Sequence, residues 1–277
     1  MTRNNLARPA ATRELECPVP VAAPWTQNIR ITWRPELRFY ERRIDLLREL
    51  EDLGHLRAFR VTDTGVEARL FDSMHILAVR SNGVMLRFLG PEESHTADAW
   101  DTLTRAIAAM EPQSIIEMSA AYQHLAPLTM TFEEALAQSY KTFLTQPGGE
   151  LVLGDWAMLV DVDKVGDVPA NGQIEFGIVR AREVPDRLSH RAGRLGEETA
   201  ASEQSWEGRT FAETSLFAES ALRIGSEASA GVLAREGSIV HSARKFSTDA
   251  QLAVNDFVDR VQQALLPNQE EAERRAR

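Results

Sequence analysis

Five arginines, Arg180, Arg182, Arg187, Arg191 and Arg194, stand with His190 in the run RAREVPDRLSHRAGR, opposed only by Glu183 and Asp186. Arginine keeps its charge at any physiological pH, and its planar fork grips carboxylate or phosphate through two parallel hydrogen bonds. A local positive excess of this kind suits an anionic ligand or an acidic partner surface. Alternation puts Arg180 and Arg182 on one face of a strand read at Gln173–Val184, with Arg187, His190, Arg191 and Arg194 on the long loop that follows, up to about Trp206. Long loops are often functional. These six residues are the candidate ligand- or partner-binding set. The competing reading is internal neutralisation, since the chain holds 41 acidic against 31 basic residues. No aromatic residues are interleaved with the arginines, so the stacking platform of a single-strand nucleic-acid binder is missing.

Other chemistry has less support. The sequence has no G-x-x-x-x-G-K-[ST], G-x-G-x-x-G or G-x-S-x-G pattern, hence no signature of a phosphate cradle or nucleophile elbow. The six histidines (55, 75, 95, 124, 190 and 241) include no pair at metal-ligand spacing. Asp161, Asp163 and Asp167 beside Gly166 evoke a calcium loop, but the twelfth position is Gly172 rather than a bidentate glutamate. They read instead as a charged strand end and hairpin loop. Asp72, Ser73 and His75 are too close along one strand to pass a proton in line. The single cysteine, Cys17, forms neither an intramolecular disulfide nor a multi-cysteine metal site. No catalytic residue is identified, no metal site is expected, and no cofactor is called for.

At 277 residues, 43% hydrophobic and 26% charged, the composition is that of a folded globular chain. The net charge of −10 disfavours nucleic acid as a partner, because phosphate binding depends on basic side chains. The charge is unevenly spread: residues 1–48 hold nine arginines against five acids. No apolar run approaches the roughly 18 residues needed to cross a bilayer, and the start of the chain lacks the apolar core of a secretory signal. Together with the lone cysteine, this gives the expectation of a soluble, cytoplasmic protein without a membrane partner.

The elements that position these residues follow from periodicity. An opening strand leads to a helix at 36–53, with Tyr40, Ile44 and Leu47 on one stripe, Leu46, Leu50 and Leu53 beside it, and Gly54 as C-terminal cap. Short strands follow at Leu56–Val61, Val66–Phe71, His75–Arg80 and Val84–Leu89, the last two turning at Asn82-Gly83 in an expected type I′ hairpin. A helix at about 97–110 carries Trp100, Leu103, Ile107 and Met110, and ends before Pro112. After a strand reaching Pro127, Thr131 and Glu134 form a capping box for a helix bearing Phe132, Leu136, Tyr140 and Phe143, which Pro147-Gly148-Gly149 ends. Strands at Leu151–Val165, Gln173–Val184 and Thr210–Ile224 and a helix at about 249–266 complete the order.

The expected fold is α+β: a mainly antiparallel sheet with helices on one face, with the option of two ferredoxin-like halves sharing it. The expected organisation is a flexible basic arm (1–26), a single domain (27–267) with a subdivision near 128–150 as a variant, and a polar tail (268–277).

The run ARLFDSMHILAVRSNGVMLRFLGPE, the Trp-led helix AWDTLTRAIAAM, and a strand ending in Tyr122, His124 and Pro127 resemble a sporadically distributed family of uncharacterised bacterial proteins of about this length. The resemblance spans residues 55–265 and implies a bacterial, soluble, α+β protein. It implies no activity, cofactor or catalytic residue.

Two functional readings follow. The preferred one is a non-catalytic binding or assembly protein, acting with a protein partner, with a second copy of itself, or with a small anionic ligand, through a sheet edge, the Arg-rich segment or the terminal arm. The alternative is an enzyme on a small anionic substrate, with the arginines as anchor. An enclosed cavity joining Arg180 or Arg182 to Tyr122, His124 or Glu175 would favour the enzyme; an open sheet would favour binding.

Overall fold

In the computed structural model of the chain, residues 23–35, 37–54, 56–70, 75–89, 96–112, 114–144, 157–192 and 210–266 are described. The order is β1 (Ala23–Trp33), α1 (Arg38–Asp52), β2 (Leu56–Val61), β3 (Gly65–Leu70), β4 (His75–Arg80), β5 (Gly83–Leu89), α2 (Thr96–Met110), β6 (Ile115–Pro127), α3 (Phe132–Phe143), β7 (Ala157–Val165), β8 (Val168–Arg180), a 3-10 turn (Ala181–Glu183), α4 (Val184–Ala192), β9 (Thr214–Ile224), α5 (Ser226–Glu236) and α6 (Ile239–Leu265). The nine strands form one sheet, β2-β3-β4-β5-β1-β6-β9-β8-β7, antiparallel at every pairing. The α+β expectation is met.

In the first half, β1, α1, β4, β5, α2 and β6 give the sheet order β6-β1-β5-β4, which is the ferredoxin-like arrangement with the β2–β3 hairpin added outside it. The second half departs from that pattern. A ferredoxin-like repeat built from β6, β7, β8 and β9 needs β9 on the far side of β6, but β1 already occupies it, so β9 lies between β6 and β8.

The core lies between the sheet and one helix layer. Alternate residues Ile29, Ile31 and Trp33 of β1, Leu77 and Val79 of β4, Leu86 and Phe88 of β5, and Leu216 and Leu222 of β9 point to that side. Trp100, Leu103 and Ile107 of α2, and Phe132 and Leu136 of α3, are buried against them as their spacing requires, while Phe257 of α6 is half-buried. The capping box of α3 is present: Glu134 N–H donates to Thr131 Oγ1, and Thr131 N–H to the Glu134 carboxylate. Gly54 ends α1 at φ 69°.

Five sequence expectations are corrected. In α1 the buried face is Phe39, Leu46 and Leu50, whereas Tyr40 and Ile44 are exposed. The cause is position: among the described helices α1 packs on α2, α2 on α6, and α6 on α3 and α5, so α1 ends that row and its flank away from α2 is exposed. The β4–β5 hairpin exists, but Arg80 pairs with Gly83, which puts Ser81-Asn82 at the tip, and no residue there has positive φ. Gly83 is needed for another reason: a Cβ on it would lie 2.6 Å from the Ile31 carbonyl oxygen of β1. Residues 23–26, assigned to an arm, belong to β1. Residues 181–184 leave the strand for helix, and Arg187, His190 and Arg191 stand on α4 rather than a loop. The last helix begins at Ile239, preceded by α5. The Pro147-Gly148-Gly149 stop, residues 1–22 and the tail lie outside the described residues.

Candidate functional site

The Arg-rich segment divides at the end of β8. Arg180 is held by its surroundings: its guanidinium donates to Glu183 Oε1 at 3.2 Å, lies 3.5 Å from Glu133 Oε1, and sits 3.4 Å from the centroid of the Phe132 ring. Arg182 is exposed, 3.9 Å from Glu183. Beyond it the chain turns into α4 because Val184 and Leu188, one turn apart, bury against Leu125, Val179 and Phe217, and Pro185 is tolerated in a first turn. Arg187 is exposed on this helix, and His190 and Arg191 lie in its second half. Arg194 lies outside the described residues. Of the described arginines, Arg180 is tied to Glu133, Glu183 and Phe132, whereas Arg182 and Arg187 are exposed.

Tyr122 and His124 are also kept apart from these arginines. Both project from β6 into the helix-covered core, where Tyr122 hydrogen-bonds to Ser247 and His124 Nε2 lies 2.8 Å from Asn255 Oδ1. Nε2 donates, because Asn Oδ1 only accepts, and the buried Nδ1 has no partner. Burial pushes the Tyr122 phenol up and pulls His124 down to about 4. Glu175 lies one residue from Ile174 and Phe176 along β8, and so faces the opposite side of the sheet. The cavity that the enzyme reading requires, joining these residues to Arg180 or Arg182, is not formed among the described residues.

That opposite side carries the most site-like feature. Among the described residues, five helices lie on one face of the sheet and only α4 packs on the other, at the end where Gln123 Nε2 donates to the Arg187 carbonyl. Cross-strand register then lines up one residue from each of five strands: Met85, Arg30, Ser119, Arg223 and Asn171. The next row on this face is Arg87, Asn28, Ala121, Ala221 and Gln173. The two small alanines set a low floor between larger polar residues, and a cleft of about 450 Å³ results, with Glu117 also in its lining. An adjoining hollow shares Arg30 and Met85 and adds Arg80.

The cleft lining carries two arginines, Arg30 and Arg223, against one carboxylate, Glu117. Arg30 and Arg223 are each one strand from Ser119, so their backbones are roughly 10 Å apart at about 4.8 Å per strand. Neither is paired with a carboxylate among the described residues. Arg87, 3% exposed, donates from Nε to Asn28 Oδ1 at 2.8 Å, and burial lowers its pKa. The lining is thus rich in donors: two open guanidinium groups, a hydroxyl between them, and the amides of Asn28, Asn171 and Gln173. Among the described residues, no hydroxyl of the lining is hydrogen-bonded to a base.

Sequence reasoning did not single out Arg30 or Arg223. Only alternation along β1 and β9 hinted that both leave the apolar face. Asp161, part of the calcium-like cluster, accepts from Gln173 across the β7–β8 hairpin at 3.0 Å, and Gly166 turns the hairpin at φ 57°. No three His, Cys, Asp or Glu side chains among the described residues stand close enough to share a metal ion. No described helix is long and apolar enough to cross a membrane. No family model matches the chain, and no curated protein matches it in sequence.

Proposed function

We propose that this is a binding protein that holds a small ligand with two anionic groups on the uncovered face of its sheet. The observation that carries the reading is the Arg30–Ser119–Arg223 row, two guanidinium groups without carboxylate partners across a low alanine floor. A volume of about 450 Å³ is in the range of small-molecule sites, and guanidinium forks match phosphate and carboxylate. Binding rather than catalysis is favoured because the two side chains with the largest displaced ionisation, Tyr122 and His124, are on the covered side. The exposed Arg182 and Arg187 serve as an outer collecting surface in this reading, and a cytoplasmic setting fits the lone cysteine.

The test is titration calorimetry of the full chain with pyrophosphate, citrate and a short dicarboxylate series, at low and high salt. One of these probes binds the wild type, salt weakens it, and Arg30→Glu with Arg223→Glu reduces affinity at least about tenfold, which corresponds to 1.4 kcal/mol. Arg187→Glu with Arg191→Glu has a smaller effect. Wild-type protein that binds no probe, or a folded Arg30/Arg223 variant with unchanged affinity, overturns the reading.

A further inference from the structure

The sheet ends in two unlike edges. β7 carries Asp161, Asp163 and Lys164, the charged dressing that keeps an edge from recruiting another strand. β2, LRAFRV, is exposed along nearly its whole length, and its side chains Phe59 (58% exposed) and Val61 stand on the helix-layer side, uncovered by any helix among the described residues. On the same flank, Leu37, which precedes α1, and Tyr40 and Ile44 of α1 are exposed, three and four residues apart. The flank is shared because α2 lies over β4 and β5, α6 over β1, β6 and β9, and α1 packs on the remaining side of α2. These five residues are half of the ten exposed large apolar side chains of the described structure.

The backbone of β2 is equally open. Thr62 N–H donates to the Gly65 carbonyl at 2.8 Å and closes the β2–β3 hairpin, so the alternation of an antiparallel pair turns the backbone groups of Arg60 and Ala58 towards β3. Phe59 and Val61 then direct their N–H and C=O groups away from the sheet. We propose that the occupant of this edge is a second copy of the chain, paired antiparallel through β2 about a two-fold axis at Phe59, so that one sheet runs through both copies.

The choice of a second copy rests on self-complementarity. Centred on Phe59, the pairing sets Phe59 against Phe59 of the second copy as a hydrogen-bonded pair and Ala58 against Arg60, with no like charges opposed; the register shift between Leu56 and Ala58 ends the regular stretch at Arg57. Arg60 keeps its 2.8 Å ion pair to Glu67 within its own copy. The same operation on β7 about its central residue would set Asp161 against itself. The two-fold axis also brings both exposed α1 stripes to the seam, which adds apolar contact beyond what a six-residue strand supplies.

The experiment is sedimentation equilibrium of the full chain over nanomolar to high micromolar loading. The wild type reaches twice the 30.9 kDa chain mass, and Phe59→Lys shifts the dissociation constant at least about tenfold towards monomer. Phe59→Pro does the same through the backbone, since it removes an N–H that β3 does not use and that only the second copy engages. If Phe59→Pro fails to fold, Phe59→Cys in a Cys17→Ser background decides: hydrogen-bonded pairs hold Cα atoms about 5.5 Å apart, within disulfide reach, so mild oxidation yields a covalent dimer. A wild type that stays monomeric throughout, a dimer that survives Phe59→Lys, or a chain that dimerises only once residues 1–22 are removed each overturns the proposal, the last by assigning the edge to that segment.

Discussion

The guanidinium of Arg180 lies 3.4 Å from the centre of the Phe132 ring, which joins the end of β8 to the first turn of α3. With Glu183 and Glu133 also in reach, this arginine is a clamp between two elements. Cation–π contacts at partly exposed sites contribute about 0.5–1 kcal/mol. Arg180→Lys is therefore expected to lower stability by about 1 kcal/mol in urea unfolding while leaving anion affinity unchanged. A loss of affinity without a loss of stability would return Arg180 to the binding surface.

His124 makes the fold sensitive to acid. Burial holds it neutral down to about pH 4, against an ordinary value of 6.5. As pH falls between those values the unfolded chain takes up a proton that the folded chain refuses, so stability drops by up to about 1.4 kcal/mol per pH unit in that window and levels off below it. Above it the group contributes no slope. His124→Gln keeps a side chain able to reach Asn255 and removes the titration, so its stability curve should be flatter than the wild type's between pH 6.5 and 4. Parallel curves would contradict this.

Gly83→Ala tests the close approach of β5 to β1. The added methyl would meet the Ile31 carbonyl oxygen at 2.6 Å, and backbone on both sides limits relief, so a loss of about 1–3 kcal/mol is expected. An unaltered thermal midpoint would mean that the strands separate there more easily than their register suggests.

Leu103, 1% exposed, sits in the core layer between α2 and the sheet. Leu103→Ala should cost about 2–5 kcal/mol, the range for a leucine whose cavity cannot collapse. The measurement is a denaturant midpoint at unchanged m-value.

The architecture was legible wherever one physical cause dominated. Alternation alone located most strands, and the capping box located α3. Two helices escaped. α5, SEASAGVLARE, is rich in small residues and its apolar stripe is faint, and α4 is a short, mostly polar helix whose two buried anchors, Val184 and Leu188, did not stand out. Tyr40 and Ile44 show the opposite failure, a stripe of correct spacing on an exposed helix flank. The cleft was not legible at all, because Arg30 and Arg223 meet only through two strand registers that no local pattern encodes.

The place of β9 between β6 and β8 affects how the molecule is made. Emerging from the ribosome, the chain delivers β6 and β8 first, yet these strands are not neighbours and each must wait for residues 214–224 with one edge bare. A nascent chain stalled before that point presents two long adhesive edges, the condition under which chaperones are recruited or chains cross-pair. Completion is therefore abrupt: a single late strand both joins the two halves and seals them.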